Sequence, residues 1–225
     1  MDGRVLTILI DSFQKIIIPG FLYTIPLTLV SFTIGLFIAI ISATLQVANI
    51  PLFKTISRLY IWIFRGTPLL VQIFIIFYGL PNVGILLDPI PAAIVAFSLN
   101  VGAYASETIR GAILSIDKGQ TEAGFMVGMS YFQVMFHIIL PQALKNAIPA
   151  LFNTFISLLK DTSLAANITV SEMFMVTQRI VATTYEPLIL YLELAFIYLL
   201  FCTVLSSFQR FLERHYELRQ TYRRM

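Results

Sequence analysis

Charged residues are scarce in this chain: only 12% of its 225 residues are Asp, Glu, Lys or Arg, whereas 58% are hydrophobic. A composition with so little charge lies far from the soluble globular norm and indicates an integral membrane protein. The chain has one cysteine, Cys202, and two histidines, His137 and His215, which stand far apart. This shortage argues against a disulfide framework and against a thiolate or imidazole metal centre. The phosphate-binding pattern GxxxxGKS/T is also absent, so no nucleotide site is expected.

Long apolar runs dominate what is present. Runs of about 20 residues recur, and each is long enough to cross a hydrocarbon core of about 30 Å. The runs lack the period-two alternation of barrel strands, so the expected fold is all-helical. Apolar residues at helical spacing before the first run predict an amphipathic helix at the membrane interface over residues 4–18. The sequence thus predicts one membrane domain over residues 1–225, with a core of 19–212 and five spans at about 21–48, 57–80, 91–114, 138–165 and 187–208.

The distribution of charge between the spans predicts their orientation. Basic residues favour cytoplasmic connections. The second connection has only Asp88, and the fourth is net acidic. The first connection, the third connection and the tail are basic, through Lys54, Arg58, Arg110, Lys118, Lys145, Arg210, Arg214, Arg219, Arg223 and Arg224. We therefore expect the third connection and the C-terminus in the cytoplasm and the N-terminus outside.

The third connection, about residues 115–137, has strong helix signals. Asp117 with Gln120, and Ser130 with Gln133, have the spacing of capping boxes. Gly128 between them can supply the left-handed residue that ends a helix. Two short helices are therefore expected here, with Glu122 in the first turn of one of them. Phe125, Met126 and Met129 would form an exposed apolar edge that a soluble partner could cover, and a structural loop without a partner is the alternative.

These residues resemble a known family. Glu122-Ala-Gly, Gly128 and Ile139-Leu-Pro141 resemble the EAA loop in permease subunits of bacterial ATP-binding-cassette importers. Three further segments resemble the polar amino-acid permeases among them: Phe64-Arg-Gly-Thr-Pro-Leu-Leu-Val-Gln72, Gly102-Ala-Tyr with Glu107 and Arg110-Gly-Ala-Ile113, and Leu159-Lys-Asp-Thr-Ser-Leu164. Gly124 departs from the family, which usually has alanine there, and is expected to loosen its helix by about 1 kcal/mol.

The resemblance implies a type I importer permease in a bacterial inner membrane, and no catalytic site in this chain. Two permeases, often identical, would form the pore, and an extracytoplasmic binding protein would deliver an amino acid. A partner ATPase dimer would hold ATP and Mg²⁺, so no cofactor is expected in this chain. The contact with that ATPase would involve Gln120, Glu122, Ala123, Gly124, Met126, Gly128 and Met129.

Ionisable residues inside apolar spans are costly and usually have a function. Arg65 and Glu107 lie at similar depths from the same side, and we expect them to pair; the alternative is that Arg65 reaches the cytoplasmic surface alone. Pro68 cannot donate a backbone hydrogen bond and predicts a kink. Lys160 and Asp161, at the outer end of the fourth span, are expected to fix the helix end or meet the binding protein.

Polar residues near the middle of two spans are the candidates for substrate binding. Ser98, Asn100, Asn153 and Thr154 could bind the amino and carboxylate groups of an amino acid, or could only link helices by hydrogen bonds. The neutral Thr154 argues against a strongly cationic substrate, and the pattern looks most like the cystine-type branch. Glutamine, arginine and histidine remain alternatives.

Two other functional classes are alternatives. One is an ATP-independent transporter or channel, which would need an inverted repeat that the sequence does not show. The other is a membrane-embedded enzyme, which would need a catalytic cluster that the sequence does not show.

Overall fold

The computed structural model describes residues 3–48 and 51–224, with side chains described to residue 213, and the described residues are helical without strands. Most of the basic tail, from Arg214 onward, therefore lies outside the described side chains. Wide π-helical turns occur at Gly20–Thr24, Ile75–Gly79 and Met135–Ile139, and 3-10 turns at Leu80–Val83 and Thr162–Ile168. The α-helices are α1 Gly3–Pro19, α2 Ile25–Val47, α3 Pro51–Gly66, α4 Leu69–Phe74, α5 Pro89–Leu114, α6 Lys118–Met126, α7 Tyr131–Val134, α8 Leu140–Asp161, α9 Met173–Thr184 and α10 Pro187–Arg224.

The described helices support the predicted membrane fold. Four continuous helices are long and apolar enough to cross a membrane, Arg4–Val47, Pro89–Leu114, Tyr131–Ile168 and Pro187–Glu213. The fifth candidate is a broken pair, Pro51–Gly66 and Leu69–Val83, whose axes differ by 107°. The sequence predicts a kink at Pro68 within one second span. The structure shows a sharper change there, since the chain turns between two separate helices. The predicted amphipathic segment is helical, and it continues through the first π-helical turn into α2.

The chain divides into two compact units. The first contains Met1–Ser31, Ile73–Val95 and Phe155–Met225, and the second contains Phe32–Gln72 and Ala96–Thr154. The core of the first unit is formed by α1, α9 and α10, with Ile16, Met173, Leu194 and Ile197 buried together. Gly20 permits this packing, because a Cβ atom there would lie 2.8 Å from the Met173 sulfur.

The second unit also contains close helix contacts that depend on glycine. A Cβ atom at Gly35 would lie 2.8 Å from a Val101 methyl, and one at Gly102 would lie 2.6 Å from the Tyr60 hydroxyl. That hydroxyl donates to the carbonyl of Leu99 at 2.5 Å. Small residues let membrane helices approach closely enough for van der Waals packing and hydrogen bonding. The positions of α2, α3 and α5 in this unit are fixed in that way.

A buried carboxylate begins α9 in the first unit. Glu172 is fully buried and accepts from the backbone N–H groups of Phe174 at 2.8 Å and Met175 at 2.7 Å. The Tyr198 hydroxyl donates to the same carboxylate at 3.2 Å. Burial raises the pKa of Glu172 from 4.5 to about 7, although the backbone and Tyr198 hydrogen bonds oppose this shift. Glu172 lies between the candidate spans that end at Ile168 and begin at Pro187.

This raised pKa predicts a pH-dependent stability. Between pH 4.5 and about 7 the folded protein holds a proton on Glu172 that the unfolded chain has lost. The free energy of unfolding is therefore expected to decrease by up to about 3 kcal/mol as the pH rises through this window. Thermal unfolding of the purified protein from pH 4.5 to 8 measures this slope. The slope should be clearly smaller in Glu172→Gln, and an equal slope in that variant would contradict the assignment.

Candidate functional site

The third connection folds into an elbow, defined here as α6, the turn at Gly128 and α7. Asp117 begins α6, and its Oδ1 atom accepts from the N–H of Gly119 at 2.6 Å. This is a cap at the predicted residue, but the reciprocal bond expected of Gln120 is not part of it. Gly128 has a φ of +82° and follows the end of α6. The N–H of Gly128 donates to Phe125 and that of Met129 to Gly124, which is a Schellman motif.

The second helix of the elbow begins with the capping box that the sequence predicts. Ser130 Oγ accepts from the N–H of Gln133 at 3.4 Å, and Gln133 Oε1 accepts from the N–H of Ser130 at 2.8 Å. The two caps enclose Gly128, so the direction of α6 relative to α7 is set within a few residues. The prediction of two short helices joined at Gly128 is confirmed, but Glu122 lies in the second turn of α6 and not in the first, because the helix begins at Lys118.

The two helices of the elbow are packed against each other through Gly124. This residue is buried, and a Cβ atom there would lie 2.6 Å from Val134 Cγ2 and 3.3 Å from Ile138 Cδ1. Gly124 therefore has a packing role in addition to the expected loosening of its helix. It lets α6 approach the segment that follows α7, and its burial also removes it from the surface predicted to contact an ATPase.

The exposed surface of the elbow is apolar at its end. Met126 is 86% exposed and Val127 77% exposed, and Phe125 is also exposed. Gln120, Glu122 and Ala123 are exposed on α6, whereas Met129 is only half-exposed. We call Phe125, Met126 and Val127 the docking face. Val127 was missed by the sequence prediction, because a residue at a helix end has no periodic signal.

The break between α3 and α4 is held by one amide side chain. Gln72 is 5% exposed, and its Nε2 atom lies 2.8 Å from the carbonyl oxygen of Phe64 and 2.9 Å from the hydroxyl oxygen of Thr67. Its Oε1 atom accepts from Asn100 Nδ2 on α5 at 2.9 Å. Gln72 thus supplies a donor to a carbonyl that Pro68 cannot satisfy. The sequence offered a signal, a glutamine in an apolar run, but its role was not predicted.

The four predicted substrate residues differ in accessibility. Ser98 is 2% exposed, and Asn100 uses its amide on Gln72. These two residues lie two positions apart on α5, about 200° around the helix, so they do not share a face. On α8, Asn153 is exposed, and the hydroxyl of Thr154 donates to the carbonyl of Ala150 in its own helix at 3.1 Å.

The charged cluster of the second unit is centred on Glu107. Arg110 donates to its carboxylate from two nitrogens at 2.8 and 3.1 Å. Arg65 approaches only to 4.0 Å, and its guanidinium lies 5.4 Å from the ring centre of Tyr104. The predicted pair of Arg65 and Glu107 therefore exists only at the distance limit. Arg110 is the main partner because it lies one helical turn away on the same helix.

The remaining predicted residues lie at helix ends. Pro68 stands at the break and accepts from the N–H groups of Val71 and Gln72. Lys160 is exposed in the last turn of α8, where a cation complements the helix dipole. Asp161 follows it as the last residue of α8 and is half-buried. Among the described residues no group of three or more His, Cys, Asp or Glu could hold a metal ion.

Apolar helical spans, with an exposed, capped elbow between two of them, define a polytopic membrane protein. The family described as binding-protein-dependent transport system inner membrane component matches residues 31–218. This chain belongs to that family, and it is therefore a multi-pass protein of the inner membrane.

Similar proteins agree with this assignment. The L-cystine transport system permease protein TcyB of Bacillus subtilis is 50% identical over 205 residues, which are 91% of this chain and 88% of TcyB. The arginine transport system permease protein ArtQ of the same organism is 39% identical over 77% of this chain and 81% of its own length. A crystal structure of an amino acid ABC transporter with histidines matches with a TM-score of 0.83 and 32% identity, covering 96% of this chain and 99% of that chain. The fold is that of an ATP-binding-cassette importer permease.

Proposed function

We propose that this chain is the permease of an importer for L-cystine, or a related zwitterionic amino acid, powered by ATP that a partner hydrolyses. The proposal of an ATPase partner is supported by the docking face, a group of exposed apolar residues on a capped helix. Full burial of one such side chain contributes about 1.5–3 kcal/mol. A groove on a cytoplasmic ATPase is the expected cover. ATP and Mg²⁺ belong to that partner in this proposal, and this chain supplies no catalytic group.

The proposed mechanism is movement of the elbow by closure of the ATPase dimer. Because α6 packs on Val134 through Gly124, a movement of α6 acts directly on the helix that leads into α8. A second, identical permease copy and an extracytoplasmic binding protein complete the importer. The basic connections favour the orientation with the elbow and C-terminus in the cytoplasm and the N-terminus outside.

The proposal of cystine is supported by the 50% identity to TcyB and by the neutral residue at position 154. We propose Asn153 and Thr154 as the groups that meet the substrate, since Asn153 is exposed on α8. Ser98 and Asn100 would contribute indirectly, Ser98 as a buried residue of α5 and Asn100 by holding Gln72. Glutamine, arginine and histidine are the alternative substrates of the same kind of importer.

The test of this function is uptake by membrane vesicles that contain the permease, its ATPase and its binding protein. Labelled cystine is supplied outside, ATP is trapped on the ATPase side, and unlabelled arginine, glutamine and histidine serve as competitors. ATP-dependent uptake that only cystine-like compounds inhibit is expected. Inhibition by another amino acid would change the substrate, whereas uptake without ATP would overturn the importer mechanism.

The placement of Thr154 at the substrate path predicts a change in selectivity. A carboxylate at this position would attract a guanidinium, so Thr154→Glu is expected to improve competition by arginine about tenfold, which corresponds to about 1.4 kcal/mol. Thr154→Gln is the control, because it has a similar size without the charge. Competition curves against labelled substrate measure both variants. Unchanged selectivity in Thr154→Glu would remove Thr154 from the site.

A further inference from the structure

One face of α3 and part of α5 enclose a strongly basic pocket. Its volume is about 510 Å³, and its charged lining consists of Lys54, Arg58, Arg65, Arg110 and Glu107. Four cations therefore face one carboxylate. The spacing of Lys54, Arg58 and Arg65 places them along one side of α3, because residues four and seven positions apart share a helix face.

The single carboxylate is already occupied. Glu107 is held at 2.8 Å by Arg110, and the guanidinium of Arg65 lies over the ring of Tyr104. Lys54 and Arg58 form no ion pair with a described carboxylate, although Lys54 is half-buried. Gln46 also lines the pocket and is 9% exposed, and its side-chain amide interacts with the Glu107 carboxylate. The positive charge of Lys54 and Arg58 therefore remains unpaired among the described residues.

The surroundings of this charge are apolar. Trp62, which lines the pocket, is 73% exposed, and a second side of α3 presents exposed Leu52, Ile56, Leu59 and Ile63. A helix with one basic side, one apolar side and an exposed tryptophan is typical of the membrane interface. A ligand that matches this lining has an anionic head group beside Lys54 and Arg58 and apolar chains beside Trp62.

We propose that this pocket binds the phosphate group of an anionic phospholipid. The phosphate oxygens accept from Lys54 and Arg58, and the acyl chains lie over Trp62 and Leu114, exposed apolar residues that line the same pocket. These apolar residues favour a lipid over free phosphate, which would leave them uncovered. This site is separate from substrate binding and from the docking face, and its test does not depend on the proposed transport function.

The test is lipid binding by the purified full-length permease, measured by native mass spectrometry with phosphatidylglycerol and with phosphatidylcholine. The phosphatidylglycerol adduct is expected to dominate. Each cation near a lipid surface contributes about fivefold in affinity, so Lys54→Gln with Arg58→Gln should weaken this adduct about 25-fold. The charge-matched control is Lys145→Gln with Arg210→Gln, which removes two exposed cations elsewhere and should leave the adduct nearly unchanged.

Additional measurements distinguish the effect of charge from misfolding, and a bound lipid from free phosphate. Lys54→Arg with Arg58→Lys keeps both charges and should retain the adduct, and each variant must elute as one symmetric peak. Inorganic phosphate and soluble glycerophosphoglycerol are added as competitors and are expected to displace little lipid. Equal binding of the two lipids, equal loss in the control variant, or full displacement by inorganic phosphate would each overturn the proposal.

Discussion

A transporter that carries Gly128→Val is expected to lose at least nine-tenths of its ATP-driven uptake, by the order of magnitude that a misplaced coupling element costs. The φ of Gly128 is +82°, a conformation that is strongly unfavourable for a β-branched residue. Beyond the residues adjacent in the chain, no atom lies within 4 Å of a Cβ built at this position, so the defect would come from the backbone conformation. A valine there would force another backbone angle, break the Schellman motif and turn α6 away from its direction on α7.

The matched control is Gly128→Asn, since asparagine tolerates the left-handed conformation best among residues with a side chain. Uptake and ATP hydrolysis are measured in the reconstituted complex, together with retention of the ATPase on tagged permease. The asparagine variant should keep most of the uptake, whereas the valine variant should hydrolyse ATP without equivalent transport or fail to hold the ATPase. Normal uptake by Gly128→Val would show that the direction of α6 is unimportant.

Gln72→Leu is expected to give the largest loss of stability. The substitution removes the donor from the carbonyl of Phe64 and the acceptor from Asn100 Nδ2. Each buried polar group that is left without a partner costs about 1–3 kcal/mol. For two such groups a loss of about 2–6 kcal/mol follows, and thermal unfolding in detergent measures it. Gln142→Leu is the control, because Gln142 donates only to the carbonyl of Ile138 in its own helical segment.

A double-mutant cycle with Asn100→Leu tests whether the two amides act as a unit. If they do, Gln72→Leu combined with Asn100→Leu should cost less than the sum of the single variants, by about 0.5–3 kcal/mol. Substrate affinity distinguishes a structural role of Asn100 from direct binding. Additive stability losses together with a weaker substrate affinity in Asn100→Leu would return Asn100 to the substrate site.

Features that depend on neighbouring residues were predictable from the sequence. The capping box of Ser130 and Gln133, the left-handed Gly128 and the break at Pro68 each follow from residues within one helical turn. The apolar spans follow from composition, and the resemblance of the motifs leads to the family. Features that are set by residues close together in the sequence can therefore be predicted from the sequence.

Features that depend on helix rotation or on contacts between helices were not predictable in the same way. The hydrogen bond between Gln72 and Asn100 and the contact of Gly124 with Val134 join residues whose approach no spacing indicates. Ser98 and Asn100 are a different case, because the helical period alone separates them by about 200°. Polar residues at a similar depth in a span, such as these two, therefore need not line the same pocket.

The elbow has a mechanical consequence. The helix that begins at Tyr131 continues to Ile168 over 38 residues, a length of about 57 Å at 1.5 Å per residue. The nine residues of α6 form a short arm of about 13 Å that is fixed beside the start of this helix. A force on the tip of that arm would therefore act on the start of this helix, where Gly124 packs against Val134.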